Sequence, residues 1–140
     1  MLARHGDISF TWNHDTFEVN VQGGFNQESL AYHIPRLQAE VCNRQVNTWK
    51  RLEVWDQEVL GTPEAVAAGK LIYDWYTDHG CIATAVVICN SLQRQLIKDI
   101  FKSSAAVFTD IEQARQWLKQ TDLHSANTQT DELQKMVSFI

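Results

Sequence analysis

The run "CIATAVVIC", residues 81 to 89, is nine residues long, carries no charge and is rich in β-branched side chains. A strand that is apolar on both faces must be covered on both, the condition of a central strand in a layered α/β fold rather than of a sheet open to solvent. The remaining sequence therefore has to supply helices for two sides. At 140 residues and 44% hydrophobic composition, the chain has enough apolar material for one domain with a real core.

The flanking segments meet that demand. "GDISFTW" and "TFEVNVQ", separated by "NHD", read as a β-hairpin in which Ile8, Phe10 and Trp12 are the apolar side of the first strand and Phe17, Val19 and Val21 that of the second, one face of the hairpin meeting the core. "GGFNQESLAYHIPRLQAEV" opens a helix at the N-cap Asn26, with Glu28 in the first turn and Phe25 placed to staple onto Leu30. Pro35 inside that helix predicts a kink or two abutting pieces. "TWKRLEVWD" alternates Trp49, Arg51, Glu53 and Trp55 with Lys50, Leu52 and Val54. That pattern predicts a strand with one aliphatic side and one aromatic, charged side partly open to solvent.

A second helix starts at Thr62 as N-cap and Pro63 at the first helical position and ends before Gly80, with Ala65, Ala68, Ile72 and Trp75 as its stripe and Leu71 beside them. Asn90 or Ser91 caps a third helix reaching Phe101, with Leu92, Leu96, Ile97 and Ile100 inward. Arg94, Lys98 and Lys102 follow at intervals of four, a row that reads as a solvated face rather than a binding patch. "AAVF" reads as a short edge strand. "TDIEQARQWLKQ" has capping-box spacing from Thr109 to Glu112 and a buried stripe of Ile111, Ala114 and Leu118. Residues 1–120 form the domain in this reading; 121–140 follow as a polar linker and a short amphipathic segment carrying Leu133, Met136, Val137 and Ile140. The order is β-β-α-β-α-β-α-β-α, which fits a single mixed sheet of about five strands with right-handed parallel crossovers and about four flanking helices.

Several functions are disfavoured by composition. A net charge of −5 and a pI near 5.4 lack the basic surplus of a general nucleic-acid binder. No run approaches the roughly 18 apolar residues of a membrane span, and "MLARHGDISF" lacks the apolar core of a signal peptide, so a cytoplasmic protein is expected. Cys42, Cys81 and Cys89 form no CxxC pair. Cys81 and Cys89 would lie about 26 Å apart at strand rise, so all three read as small buried hydrophobes. His5, His14, His33 and His124 include no HxxxH or HExxH pair, no metal or other cofactor is implied, and "QGGFN" lacks phosphate-loop spacing. Asp74, Asp78 and His79 read as an outer-face row, and Glu53 and Asp56 fall on opposite faces of a strand, which does not suit a paired acid and base.

The order of elements, the hairpin patterns F..W and F.V.V, "GGFN" opening a Pro-interrupted helix, "GCIATAVVICNS" and above all "VFTDIEQARQWL" resemble the SpoIIAA-like branch of the STAS superfamily, the fold of anti-sigma-factor antagonists. The resemblance spans about residues 6 to 120. It implies a non-enzymatic regulatory or ligand-binding module. In the antagonists a Ser or Thr in an Asp-Ser-Ser-Gly-like turn after the third core strand is phosphorylated, which ends the partner interaction. Here Asp56 is followed by Gln57, Glu58, Val59 and Leu60, and Thr62 is the only hydroxyl in that junction.

A phosphate on Thr62 would find the helix N-terminus but also Asp56, Glu58 and Glu64, so the residue is expected to serve as a cap and not as a switch. Asp56, Glu58 and Thr62 are nonetheless the residues where a regulatory partner contact is expected. Trp49, Arg51 and Trp55 are the residues expected at a hydrophobic ligand site or interface. The leading expectation is a module that binds a protein partner or its own copy. The alternatives are a carrier for a lipid-like molecule, with Pro35 as a hinge, and a small hydrolase or transferase whose cleft the sequence does not disclose.

Overall fold

The strand pairing follows from the alternation. In the computed structural model, which describes residues 6–101 and 105–121, β1 (Asp7–Asn13) and β2 (Thr16–Gln22) form an antiparallel hairpin, with Ile8 opposite Val21, Phe10 opposite Val19 and Trp12 opposite Phe17. The apolar residues thus meet across the strands on one face. The next element, β3 (Gly24–Phe25), is only two residues long. It leads into α1 (Gln27–Arg44), where Asn26 and Ser29 form a reciprocal capping box with two 2.9 Å bonds. Pro35 does not divide α1, which runs as a single 18-residue element. Its ring sits on the exposed side of the helix, so the missing N–H leaves a carbonyl that water can reach.

Beyond α1 the chain runs through β4 (Trp49–Trp55), β5 (Leu60–Gly61), α2 (Pro63–Asp78), β6 (Cys81–Val87), α3 (Ser91–Phe101) and β7 (Ala106–Phe108), then a fourth helix, α4, at 111–121. The main sheet has the order β1-β2-β4-β6-β7, antiparallel in its first pair and parallel thereafter. A second, two-stranded parallel sheet of β3 and β5, which was not anticipated, ties the starts of α1 and α2 together. The Thr62 N–H donates to the Phe25 carbonyl in the same junction.

Residues 83–88 of the nine-residue apolar run are buried with cover on both sides, as expected, whereas Ile82 and Cys89 near its ends are exposed. Val86 and Ile88 belong to the larger core, with Leu37 and Val41 of α1, Ala65 and Tyr76 of α2, and Ile97 and Phe101 of α3. Ala83, Ala85 and Val87 face the other way, toward Leu52, Ala114 and Leu118, so among the described residues α4 covers that side. Small residues at 83 and 85 leave room for the helix to lie close.

Several expectations are corrected. The aromatic side of β4 is not open: Trp49, Arg51 and Trp55 are all buried, because α2 and α3 lie across it. The inward stripe of α2 is Ala65, Gly69, Ile72 and Tyr76, with Gly69 against Ile100 of α3, and Leu71 is 72% exposed. Leu92 also points outward at 68% exposure, since Gln93 takes the buried position in the first turn of α3. Cys42 and Cys89 are exposed, the first on the outer side of α1 and the second past the end of β6. In α4 the cap is Asp110, whose carboxylate accepts from the Glu112 N–H at 2.9 Å, rather than Thr109. The expectations for Lys102, His5, His124 and the segment from 122 onward lie outside the described residues.

Candidate functional site

Arg51 and Glu53 are both on the same face of β4, and the sheet twist and the crossing of α2 bring them under a roof of aromatic rings. Arg51 is only 3% exposed. Its guanidinium lies 4.4 Å from the Tyr76 ring centre, 5.4 Å from Tyr73 and 5.3 Å from Phe101. Desolvated cation–π contacts of this kind are worth about 2 kcal/mol or more. The Glu53 carboxylate is 3.3 Å from Arg51 Nη2, an ion-pair distance. Yet Arg51 Nε, Arg51 Nη2 and Glu53 Oε2 are buried with no aligned hydrogen-bond partner among the described residues. A buried charge pair normally satisfies such atoms, so three of them in one place mark the site.

Burial is the largest influence and works against the Arg51 charge, but Glu53, Tyr76, Cys81 and Tyr73 together outweigh it, and the guanidinium pKa is raised above its ordinary value. Burial likewise pushes the Tyr76 hydroxyl well above its ordinary 10.0, against the opposing pull of Arg51, and raises the Cys81 thiol. Native Tyr76 therefore keeps its proton when the unfolded chain has lost it. Its contribution is complete below about pH 10 and declines above, by about 1.4 kcal/mol per pH unit. Thermal melts should show the midpoint falling between pH 9 and 11, with a shallower fall in Tyr76→Phe; equal slopes would refute the assignment.

The Arg51–Glu53 pair forms part of the wall of a partly open cavity of about 100 Å³ between the sheet and α1, α2 and α3. The rest of the wall is mainly apolar, including Val21, Leu37, Trp55, Ile72 and Ile100, and it extends to Leu60, which is half exposed. The cavity thus runs from a buried charge pair toward the surface beside β5. Of the residues expected at a hydrophobic site, Arg51 and Trp55 line it. Trp49 does not: it stands edge-on to Tyr76 at 5.4 Å and its Nε1 donates to the His79 carbonyl at 2.8 Å.

The residues expected at a regulatory contact lie elsewhere. Glu58 and Thr62 border a shallow hollow with Gly23, Gly24 and Asn26. Asp56 Oδ1 accepts from the Gly23 and Glu58 N–H groups, at 3.2 and 2.9 Å, and so anchors the end of β4 to the turn after β2. Thr62 Oγ1 accepts from the Ala65 N–H at 3.2 Å, which is the cap expected of it. Thr62→Ala should lower stability by about 1 kcal/mol while Thr62→Ser, an equally good and uncharged cap, should not; denaturant titration of both variants would check this.

Sequence reasoning missed Tyr76, Tyr73 and Phe101 as the cage around Arg51, and Gln93 altogether. Gln93 is fully buried, its Nε2 donating to the Asp56 and Val59 carbonyls and its Oε1 accepting from the Cys89 N–H. Only the placement of an arginine between two tryptophans on one strand face signalled the cage. His79 is engaged locally, stacked 3.9 Å from Trp75 with Nδ1 at 2.8 Å from the Trp75 carbonyl. Among the described residues no group of His, Cys, Asp and Glu is placed to hold a metal ion, and no helix is long and apolar enough to cross a membrane.

No protein-family model and no curated protein matches this sequence. Among solved structures, the chain is similar to an uncharacterized protein of the DUF3478 family with a SpoIIAA-like fold from Shewanella loihica PV-4. The TM-score is 0.58 at 16% identity, over 84% of this chain and 97% of that one. It is also similar to the anti-sigma factor antagonist SpoIIAA in its unphosphorylated form, with a TM-score of 0.54 at 9% identity, over 81% and 98% of the two chains. Both comparisons span nearly the whole of the other molecule. The mixed five-stranded sheet, the helices on its two faces and these two likenesses agree: the chain has a SpoIIAA-like fold.

Proposed function

We propose that this protein is a non-enzymatic regulatory module of SpoIIAA-like fold whose input is a small hydrophobic molecule rather than a phosphate on Thr62. The observation that carries this is the apolar cavity with the Arg51–Glu53 pair in its wall. An interior built only for stability would close on such a pair, since a void forfeits packing and orphaned polar atoms cost free energy. The Thr62 junction supports the other half of the reading: its hydroxyl is used as a cap and Glu58 and Glu64 stand nearby, which disfavours added negative charge. A cytoplasmic location and no nucleic-acid partner belong to the same proposal, the latter in keeping with the charge of −5.

The test is mass spectrometry of the protein purified from its own host, native and after solvent extraction, together with tryptophan fluorescence during titration with benzene. A stoichiometric hydrophobic molecule, or saturable quenching of Trp55 that Trp55→Phe removes, supports the reading. An empty protein whose fluorescence does not respond refutes it.

A second reading, a module that binds a protein partner or its own copy, is favoured by the large apolar side chains left exposed on α2 and α3 and beside the cavity mouth: Leu71, Leu92 and Leu60. Sedimentation of the wild type and of Leu71→Lys/Leu92→Lys distinguishes self-association from a monomer that depends on another partner.

A further inference from the structure

The main sheet ends at β1, and among the described residues no strand pairs with its outer edge. Which peptide groups lie on that edge follows from β2. The Val21 carbonyl accepts from the Asp56 N–H, so Val21, and with it Val19 and Phe17, turns its peptide groups toward β4. The alternate residues of β2, Asn20 and Glu18 among them, therefore bond to their opposites Ser9 and Thr11. That leaves the N–H and C=O groups of Ile8, Phe10 and Trp12 directed away from the sheet. The Ile8 N–H accordingly donates to the carboxylate of its neighbour Asp7, at 2.9 Å, and not to a strand.

Natural sheets blunt such an edge with a very short strand, a lysine, a proline or a bulge. At the opposite edge β7 is only three residues long. None of these devices is present in β1, which runs for seven residues, DISFTWN, and pairs with β2 in unbroken register. Its outer edge is open to a further strand.

The strand is also its own complement. Laid antiparallel against a copy and centred on Phe10, the outward-directed residues form the hydrogen-bonded pairs, Phe10 with Phe10 and Ile8 with Trp12. Apolar side chains then meet apolar ones on the α1 side of the sheet, while Ser9 meets Thr11 and Asp7 meets Asn13 on the other. A slip of two residues sets Trp12 opposite Gly6 or Ile8 opposite His14, so the centred register is the one that matches throughout. Arg36, stacked over Phe10 at 5.7 Å, approaches its own copy above the axis, but it is exposed and water and salt screen the two charges.

We propose that β1 is a self-pairing edge, through which two copies of this chain join antiparallel into one continuous sheet about a two-fold axis at Phe10. The proposal is independent of the cavity, and it gives self-association a surface apart from Leu71 and Leu92. A single strand edge is a small interface, so the dimer is reversible and depends on concentration.

The experiment is sedimentation of the full chain from about 5 to 500 μM, with amide hydrogen exchange at both ends of that range. The wild type should pass from monomer to dimer, and the Phe10 and Trp12 amides should gain protection as it does. Ser9 and Thr11 are exposed, so both can be changed without touching the core. Ser9→Lys/Thr11→Lys sets lysine opposite lysine and should weaken the dimer by about tenfold or more. Ser9→Glu/Thr11→Lys sets glutamate opposite lysine and should dimerise at least as strongly as the wild type. Both are checked for native far-UV circular dichroism, and Leu71→Lys/Leu92→Lys should leave the association unchanged. A wild type that stays monomeric, or a dimer whose Phe10 and Trp12 amides gain no protection, overturns the proposal. So does a dimer indifferent to the lysine pair, one lost equally in both strand variants, or one lost in Leu71→Lys/Leu92→Lys.

Discussion

Arg51→Met should destabilise the protein by about 3 to 5 kcal/mol, and adding Glu53→Leu should restore most or all of that loss. The single substitution removes the cation from its cage of Tyr76, Tyr73 and Phe101 and leaves a largely buried carboxylate without its counter-charge. Breaking one side of a buried pair usually costs that much, whereas replacing both members by apolar residues of similar volume is near neutral or stabilising by about 1 to 4 kcal/mol. Against a typical total of about 5 to 15 kcal/mol, the single variant would be marginal at room temperature. Urea unfolding of the wild type, both single variants and the double variant closes the cycle. If the double variant is no better than Arg51→Met, the pair contributes to stability in its own right and the case for retaining it as a ligand-recognition device is weakened.

Gly80→Ala should cost about 3 kcal/mol or more and lower the melting midpoint by roughly 10 °C. Gly80 has φ of +99°, where an L side chain is strained, and a Cβ added there would lie 2.2 Å from the Asn47 carbonyl oxygen. That oxygen belongs to backbone, so it cannot swing aside as a side chain would. Relief would require the turn between α2 and β6 to move, and this turn supplies two acceptors to Trp49: the Gly80 carbonyl takes its N–H at 2.9 Å and the His79 carbonyl takes its Nε1 at 2.8 Å. Trp49 in turn packs against Trp12, Phe17 and Tyr76. A variant within about 1 kcal/mol of wild type by calorimetry would mean that the turn relaxes without disturbing this aromatic cluster.

Local chemistry was legible in the sequence. Alternation gave the hairpin and the buried face of each of its strands, and the caps Asn26 and Thr62, with Asn90 as one of two candidates, were recognisable because a side-chain acceptor two or three residues before a free N–H is a local event. The cap of α4 was missed by one residue, Asp110 instead of Thr109, since both offer an oxygen at workable spacing and only the backbone path decides between them. Arg51 and Trp55 were chosen as site residues from alternation alone. The choice was right about their shared face and wrong about its exposure, because alternation tells which side chains lie together but not what lies over them.

Two properties were determined by the sequence itself. The uncharged run from Cys81 to Cys89 required cover on both faces, and the caps Asn26 and Thr62 and the glycine at 80 marked the starts of α1 and α2 and the end of α2. Only the tertiary structure decided the rotation of the helices and therefore the site. A helical stripe read from sequence is uncertain by a residue's turn of about 100°. That one step on α2 turns Tyr76 inward over Arg51 and leaves Leu71 in solvent. The Arg51 cage, the pairing of Gln93 with the ends of β4 and β5, and the cavity between sheet and helices all depend on contacts between residues 20 to 50 positions apart. No local rule of spacing reaches that far, since such contacts form only when the helices settle on the sheet.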